Sequence, residues 1–238
     1  MLSTQAYTAS ASLLRRVSER SRKTHRGGAV AWLVLGGMVC LCLLGSLLLA
    51  LPAAVAEDAY LSWDYGDAAF TAISAVTCTG LTLKSTAAHF TFLGQLVILL
   101  LIQAGTLTIL FAGVALARLV GQALAASAPG RALARPPGVP TVRFVLTATF
   151  VCELVGAALL YPMFAVRSDG SALPVVERAW YSLFHAVSAF CNAGFTLYTR
   201  GFLQGLSEDW SSPLREAWQV YGVIAPLIVL GGLGMSVL

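Results

Sequence analysis

Four stretches of the chain run with little or no charge: Gly27 to Ala56, Phe90 to Ala117, Phe144 to Val166 broken only by Glu153, and Ala217 to Leu238. Each reaches the roughly 20 residues that a helix needs to cross about 30 Å of hydrocarbon, so the pattern predicts four transmembrane helices. The first stretch follows a basic arm, as a secretory signal would. Its uncharged run exceeds the roughly 7–15 residues of a signal core, and it reads as a retained span.

The connections between spans are of two kinds. Arg118 to Arg143, rich in Ala, Pro and Gly (SAPGRALARPPGVP), reads as an irregular linker. The other two are largely apolar: DYGDAAFTAISAVTCTGLTLKSTAAHF after the first span and ERAWYSLFHAVSAFCNAGFTLY after the third. Set side by side at an offset of 114, they pair Phe70 with Phe184, Ala72 with Ala186, Ser74 with Ser188 and Ala75 with Ala189. Gly80 with Gly194, Thr82 with Thr196 and Leu83 with Leu197 follow. This is an internal repeat, and both copies run in the same direction, as parallel repeats related by an axis along the membrane normal do. The expected fold is an all-α membrane protein of two parallel helix–pore-helix–filter–helix repeats, with four transmembrane helices and two re-entrant pore loops. The expected divisions are an N-terminal arm (1–28), a first unit (29–117), an inner linker (118–143) and a second unit (144–238).

Composition agrees with a bilayer setting. Of 238 residues 58% are hydrophobic and 11% charged, with mean hydropathy +0.79, whereas soluble domains carry about 25% charged residues. The net charge of +4 matters less than its distribution. Arg15, Arg16, Arg20, Arg22, Lys23 and Arg26 precede the first span, and Arg118, Arg131, Arg135 and Arg143 lie between the second and third. The positive-inside rule places both segments, and the N-terminus, in the cytoplasm of a multi-pass cell-membrane protein. Orientation accounts for these basic runs without a nucleic-acid partner. The carboxylates Glu57, Asp58, Asp64, Asp67, Asp169, Glu177, Glu208 and Asp209 fall in the outward connections. Cys40, Cys42, Cys78, Cys152 and Cys191 lie in apolar spans or loop segments without a zinc-like pair, and read as free thiols.

The chemistry lies in the two dipping segments. Inside hydrocarbon, non-helical backbone survives only where protein buries it or a watery cavity meets it. TCTGLT and CNAGFT are such stretches: Thr77 and Thr79 are β-branched, and Gly80 and Gly194 allow backbone angles that other residues resist. Extended backbone there turns carbonyl oxygens toward an axis, where they replace the hydration shell of a monovalent cation. Asp67 is the expected N-cap of a helix Ala68 to Val76 whose negative C-terminal end points at the ion. The alternative is a pair of amphipathic helices lying flat on the outer surface, each ended by its glycine.

The stretches FTAISAVTCTGL, FLGQLVILLLIQAG, FHAVSAFCNAGF and PLIVLGGLG resemble the first two units of the Trk/Ktr/HKT superfamily of potassium transporters, over about Trp63 to Leu238. The resemblance implies potassium uptake, with K+ as the transported ion. Thr77, Cys78, Thr79 and Gly80 would form one quarter of the selectivity filter, and Cys191, Asn192, Ala193 and Gly194 another. Glycine rather than serine at the first filter is associated in plant relatives with potassium over sodium. The family works with a cytoplasmic ring of nucleotide-binding regulatory subunits, for which the arm and the inner linker are candidate docking surfaces. Its members usually carry four units, so this chain is expected to be the N-terminal half of a longer protein, or to be completed by a second copy or a second subunit. The second span also departs from the family's GGLG-like run, carrying Gly105, Thr106, Leu107 and Thr108 where the fourth keeps Gly231, Gly232 and Gly234.

Among remaining polar residues, Glu153 is an intramembrane carboxylate, expected to hydrogen-bond in a buried site rather than to line the ion path. His185 is expected to be a packed polar residue of the second pore helix. Asn192 caps that helix or lends its side chain to the filter, with its backbone carbonyl the more direct contributor. Trp32, Trp63, Trp180, Trp210 and Trp218 sit near predicted boundaries, as interface anchors do. No paired carboxylates, nucleophile triad, P-loop or dinucleotide fingerprint is present, which argues against an enzyme. Two other functions compete with potassium transport: a non-conducting scaffold or regulatory half-subunit, and a sodium-permeable member of the same class.

Overall fold

The computed structural model describes residues 31–57, 64–127, 139–165, 171–199 and 217–233. The basic N-terminal arm, Arg131 and Arg135 of the inner linker, Asp58, Trp63, Asp169, Arg200, Glu208, Asp209 and Trp210 fall outside them. Among the described residues the chain is helical, with an isolated β-bridge between Val55 and Phe90.

Three helices are long and apolar enough to cross a membrane: α1 (Ala31–Leu49), the Phe92–Gly113 portion of α4 (Phe92–Ser127) and the Arg143–Leu160 portion of α5 (Val139–Leu160). The shorter apolar helix Val220–Leu233 stands where the fourth span is expected. It opens with a π turn, Val220–Ile224, and continues as α7 (Ala225–Leu233). Pro226 explains the widened turn: it has no N–H to offer the preceding turn, and its ring clashes with the carbonyl four residues back. Between the long helices lie two shorter ones, α2 (Tyr65–Thr77) and α6 (Val175–Phe190), with a four-residue turn, α3 (Thr86–His89), ahead of α4.

Two sequence expectations change. The inner linker is helical further than its composition suggested, since α4 continues to Ser127 and α5 begins at Val139. The run ARLVGQALAAS is rich in strong helix formers, and the Pro/Gly punctuation starts only after it. At about 1.5 Å per residue α4 is roughly 54 Å long, well beyond a hydrocarbon core. The N-cap of α2 is Asp64, not Asp67: its carboxylate accepts the Asp67 N–H at 2.8 Å. The spacing suits the bond from N-cap to third helical residue that satisfies an otherwise orphaned donor. Asp67 sits in the first turn, where its charge faces the positive helix end, and Lys84 Nζ lies 4.0 Å away.

Each short helix packs on a long one. α2 lies against α4, while α6 is held between α5, α4 and α7. α1 joins the first pair through Leu49, fully buried, and Gly45, where a side-chain carbon would meet Leu101 and Ala72. Polar contacts fix the ends. Trp180 Nε1 donates to Gln95 Oε1 at 2.8 Å, linking α6 to α4, and the Arg178 guanidinium donates to the Tyr161 carbonyl while resting 4.5 Å above the Tyr161 ring, linking α6 to the end of α5.

Candidate functional site

α2 and α6 end in the same way, 114 residues apart. The Cys78 and Asn192 N–H groups donate back to Ala75 and Ala189, and the Thr79 and Ala193 N–H groups to Ser74 and Ser188 at 3.1 and 2.8 Å. This pair of bonds is the Schellman arrangement, which needs a left-handed residue just past the helix. Cys78 has φ 52° and Asn192 φ 55°, left-handed values that non-glycine residues seldom take. Two residues on, Gly80 and Gly194 have φ 73° and 71°. The eight sequence-predicted site residues therefore occupy two conformationally equivalent turns.

The turns meet. A side-chain carbon built on Gly80 would lie 2.9 Å from the Ala193 carbonyl oxygen and 3.2 Å from the Gly194 α carbon. One built on Gly194 would lie 3.1 Å from the Gly80 α carbon. The helix ends that carry the turns are largely buried, from Phe184 to Phe190 of α6 and at Ala72 and Ser74 to Val76 of α2, while Ile73 and the turn residues Thr79, Asn192 and Gly194 are exposed.

The long helices accommodate the turns through a matching pair of glycines. A side-chain carbon on Gly105 of α4 would run into the Val76 carbonyl oxygen, and one on Gly231 of α7 into that of Phe190. Val76 and Phe190 correspond at the offset of 114, whereas Gly105 and Gly231 correspond at 126. The side chain of each left-handed residue then turns to the helix that carries the matching glycine, α4 for Cys78 and α7 for Asn192. Cys78 Sγ lies 3.9 Å from the Ile102 carbonyl and Asn192 Nδ2 donates to the Ile228 carbonyl at 3.3 Å, again 126 residues apart. Asn192 thus spends its side-chain amide on α7.

The second turn has supports that the first lacks. His185 is 3% exposed. Its Nδ1 faces the Tyr181 carbonyl at 2.7 Å, while Nε2 receives the Leu197 N–H at 3.3 Å and faces the Thr196 hydroxyl at 2.9 Å. A ring nitrogen that receives an N–H must carry a lone pair, so the imidazole is neutral with its proton on Nδ1. Ser188 Oγ donates to the Phe195 carbonyl at 2.7 Å. A cavity of about 290 Å³ opens between α6, this turn and α7, lined by His185, Ser188, Asn192, Thr196, Ile224 and Ile228 among others.

Glu153 of α5 is 2% exposed, and its Oε1 lies 3.8 Å from Cys191 Sγ. It is buried beside the second turn and hydrogen-bonded there, as expected of a structural carboxylate. All five cysteines are free. Trp32 and Trp218 are exposed, whereas Trp180 is partly buried and bonded to Gln95. Among the described residues no cluster of three or more His, Cys, Asp or Glu is arranged to hold a metal.

Residues 62–238 match the family model of TrkH, described as a cation transport protein. The chain belongs to this family. Over 213 residues it is 34% identical to the "Potassium/sodium uptake protein NtpJ" of Enterococcus hirae, covering 86% of this chain and 43% of that protein. Over 210 residues it is 32% identical to the "Ktr system potassium uptake protein B" of Bacillus subtilis, covering 85% and 43%. The like-named protein of Vibrio alginolyticus is 32% identical over 185 residues, 72% of this chain and 36% of that one. The chain thus spans under half the length of these relatives. It is a membrane protein of a transporter family, not of an enzyme family.

Proposed function

We propose that the chain forms two of the four walls of a potassium-conducting pore and serves potassium uptake across the cell membrane, with its N-terminus in the cytoplasm. The two units are parallel repeats in which α2 and α6 are re-entrant pore helices. Thr77, Cys78, Thr79 and Gly80 form one filter segment, and Cys191, Asn192, Ala193 and Gly194 the other. The observation that carries this reading is the approach of Gly80 to Gly194, each at positive φ just beyond a buried helix end.

The physics is that of ion dehydration. A bare monovalent ion in a low-dielectric interior costs on the order of tens of kcal/mol, and backbone carbonyls offset this when they converge on the path. α2 and α6 add their negative C-terminal ends, and outer carboxylates such as Asp67 raise the local cation concentration. A closed path needs further walls, supplied by the remaining half of a longer protein, a second copy or a second subunit. A cytoplasmic nucleotide-binding subunit is the proposed regulator.

Uptake of rubidium and potassium into cells deficient in potassium transport tests this, with the chain expressed alone and together with the second half of a relative such as the B. subtilis protein. Growth at low potassium in either arrangement supports the proposal. Failure in both, with the protein present in the membrane, favours a non-conducting scaffold. Uptake that follows sodium rather than potassium favours the sodium-permeable alternative.

A further inference from the structure

The two glycine turns belong to different repeats, yet one face of α4 serves both. Gln103 and Thr106 lie three residues apart on that helix and therefore project together. Thr106 Oγ1 is 3.2 Å from Cys78 Sγ of the first turn. Gln103 Oε1 is 3.8 Å from Cys191 Sγ of the second, and that thiol also reaches Glu153 Oε1 of α5 at 3.8 Å. The Thr106 hydroxyl neighbours Cys191 as well, and Gln103 neighbours Glu153. The chain thus places a polar group from α4 or α5 against the side chain of one residue in each proposed filter segment.

The setting gives these contacts weight. Glu153 and Cys191 are buried, and the Gln103 amide nitrogen is buried with no hydrogen-bond partner among the described residues. Buried polar groups are costly unless bonded, and bonds between them strengthen in a low dielectric. Such a cluster orients its members through directional contacts, which apolar packing lacks. The corresponding place in the second unit is different: Gly232 stands where Thr106 would be, so α7 offers no hydroxyl to Asn192. The tie between repeats is therefore a property of α4.

We infer that Thr106, Gln103 and Glu153 are positioning residues that fix the separation of the two filter segments by holding Cys78 and Cys191, and thereby set which cation the carbonyls accept. This rests on the filter reading of the glycine turns. The mechanism is mechanical: the carbonyls belong to the same short turns as the two thiols, so a change in how the thiols are held moves the oxygens that meet the ion. None of the three belongs to either proposed filter segment.

The test uses the protein in whichever arrangement transports, comparing Thr106→Val, Thr106→Ser, Glu153→Leu and Glu153→Gln with the parent. The readout is the ratio of potassium to sodium uptake in the same cells, which does not depend on how much protein accumulates. Thr106→Val keeps the shape and removes the hydroxyl, and Thr106→Ser keeps the hydroxyl. The expected result is a fall of at least threefold in the ratio for Thr106→Val and for Glu153→Leu, which removes the acceptor. Thr106→Ser and Glu153→Gln, which keep the hydroxyl and the acceptor oxygen, should stay within a factor of about 1.5 of the parent. An unchanged ratio in both Thr106→Val and Glu153→Leu, or an equal fall in Thr106→Ser and Thr106→Val, overturns the inference. Gly80→Ser is measured alongside. If it shifts the ratio while the other variants do not, the tie alone is wrong; if it leaves the ratio unchanged, the filter reading fails with it.

Discussion

Gly231 of α7 lies so close to Phe190 that a side-chain carbon on the glycine would have to displace the Phe190 carbonyl oxygen, the last of α6. Gly105 stands in the same relation to Val76. Such approaches are available only to glycine, and small residues are the usual means by which membrane helices come together. Gly105→Val and Gly231→Val should each cost at least the roughly 1–3 kcal/mol typical of overpacking, because rigid backbone lies opposite. Gly37→Ala and Gly113→Ala, where a side-chain carbon meets nothing within 4 Å, should be tolerated. Melting of the detergent-solubilised protein checks both sides of this comparison.

His185 is the main support of the chain leaving the second turn. His185→Leu should leave the Leu197 N–H without the ring nitrogen that accepts it, at about 1–3 kcal/mol for a buried group. His185→Gln, which can both donate and accept, should recover part of the loss. The measurement is thermal stability together with uptake. Loss of stability in the leucine variant without partial recovery in the glutamine variant would show that packing, not hydrogen bonding, is what the imidazole provides.

The two repeats solve one packing problem in opposite ways. In the first, a small Cys78 meets a Thr106 that carries a side chain; in the second, a larger Asn192 meets a bare Gly232. Threonine at 106 in place of a glycine of the family's run is thus not simply a loss, since Cys78 opposite it is smaller. Cys78→Asn alone should overfill the site and Thr106→Gly alone should underfill it, each lowering uptake. The double variant, which copies the second repeat, should recover more than the two single effects predict. A double-mutant cycle on uptake measures this coupling, and strict additivity would contradict it.

Much of the arrangement was legible in the chain. The repeat at an offset of 114 located α2, α6 and both glycine turns, because the residues that end a helix and allow positive φ recur there. The left-handed conformation of Cys78 and Asn192 was not legible, since neither is glycine and the bonds that hold them come from backbone groups. Asp64 and Asp67 satisfy the capping pattern equally well on paper, and only the direction of the entering chain separates them. The contacts of Thr106 and Ile102 with Cys78 needed the second offset of 126, which identifies α4 with α7 and becomes visible once Gly105 and Gly231 are seen against equivalent carbonyls. Pro226 was a readable signal for the π turn that the run of apolar residues concealed.

The central claim is that carbonyls of the two glycine turns hold a dehydrated cation between them. A structure of the protein in rubidium salt, with the ion located by its anomalous scattering, tests it most directly. The account predicts a rubidium peak within coordinating distance of carbonyl oxygens from both the Thr77–Gly80 and the Cys191–Gly194 segments. Rubidium bound elsewhere along the path, with none at these turns, would contradict it.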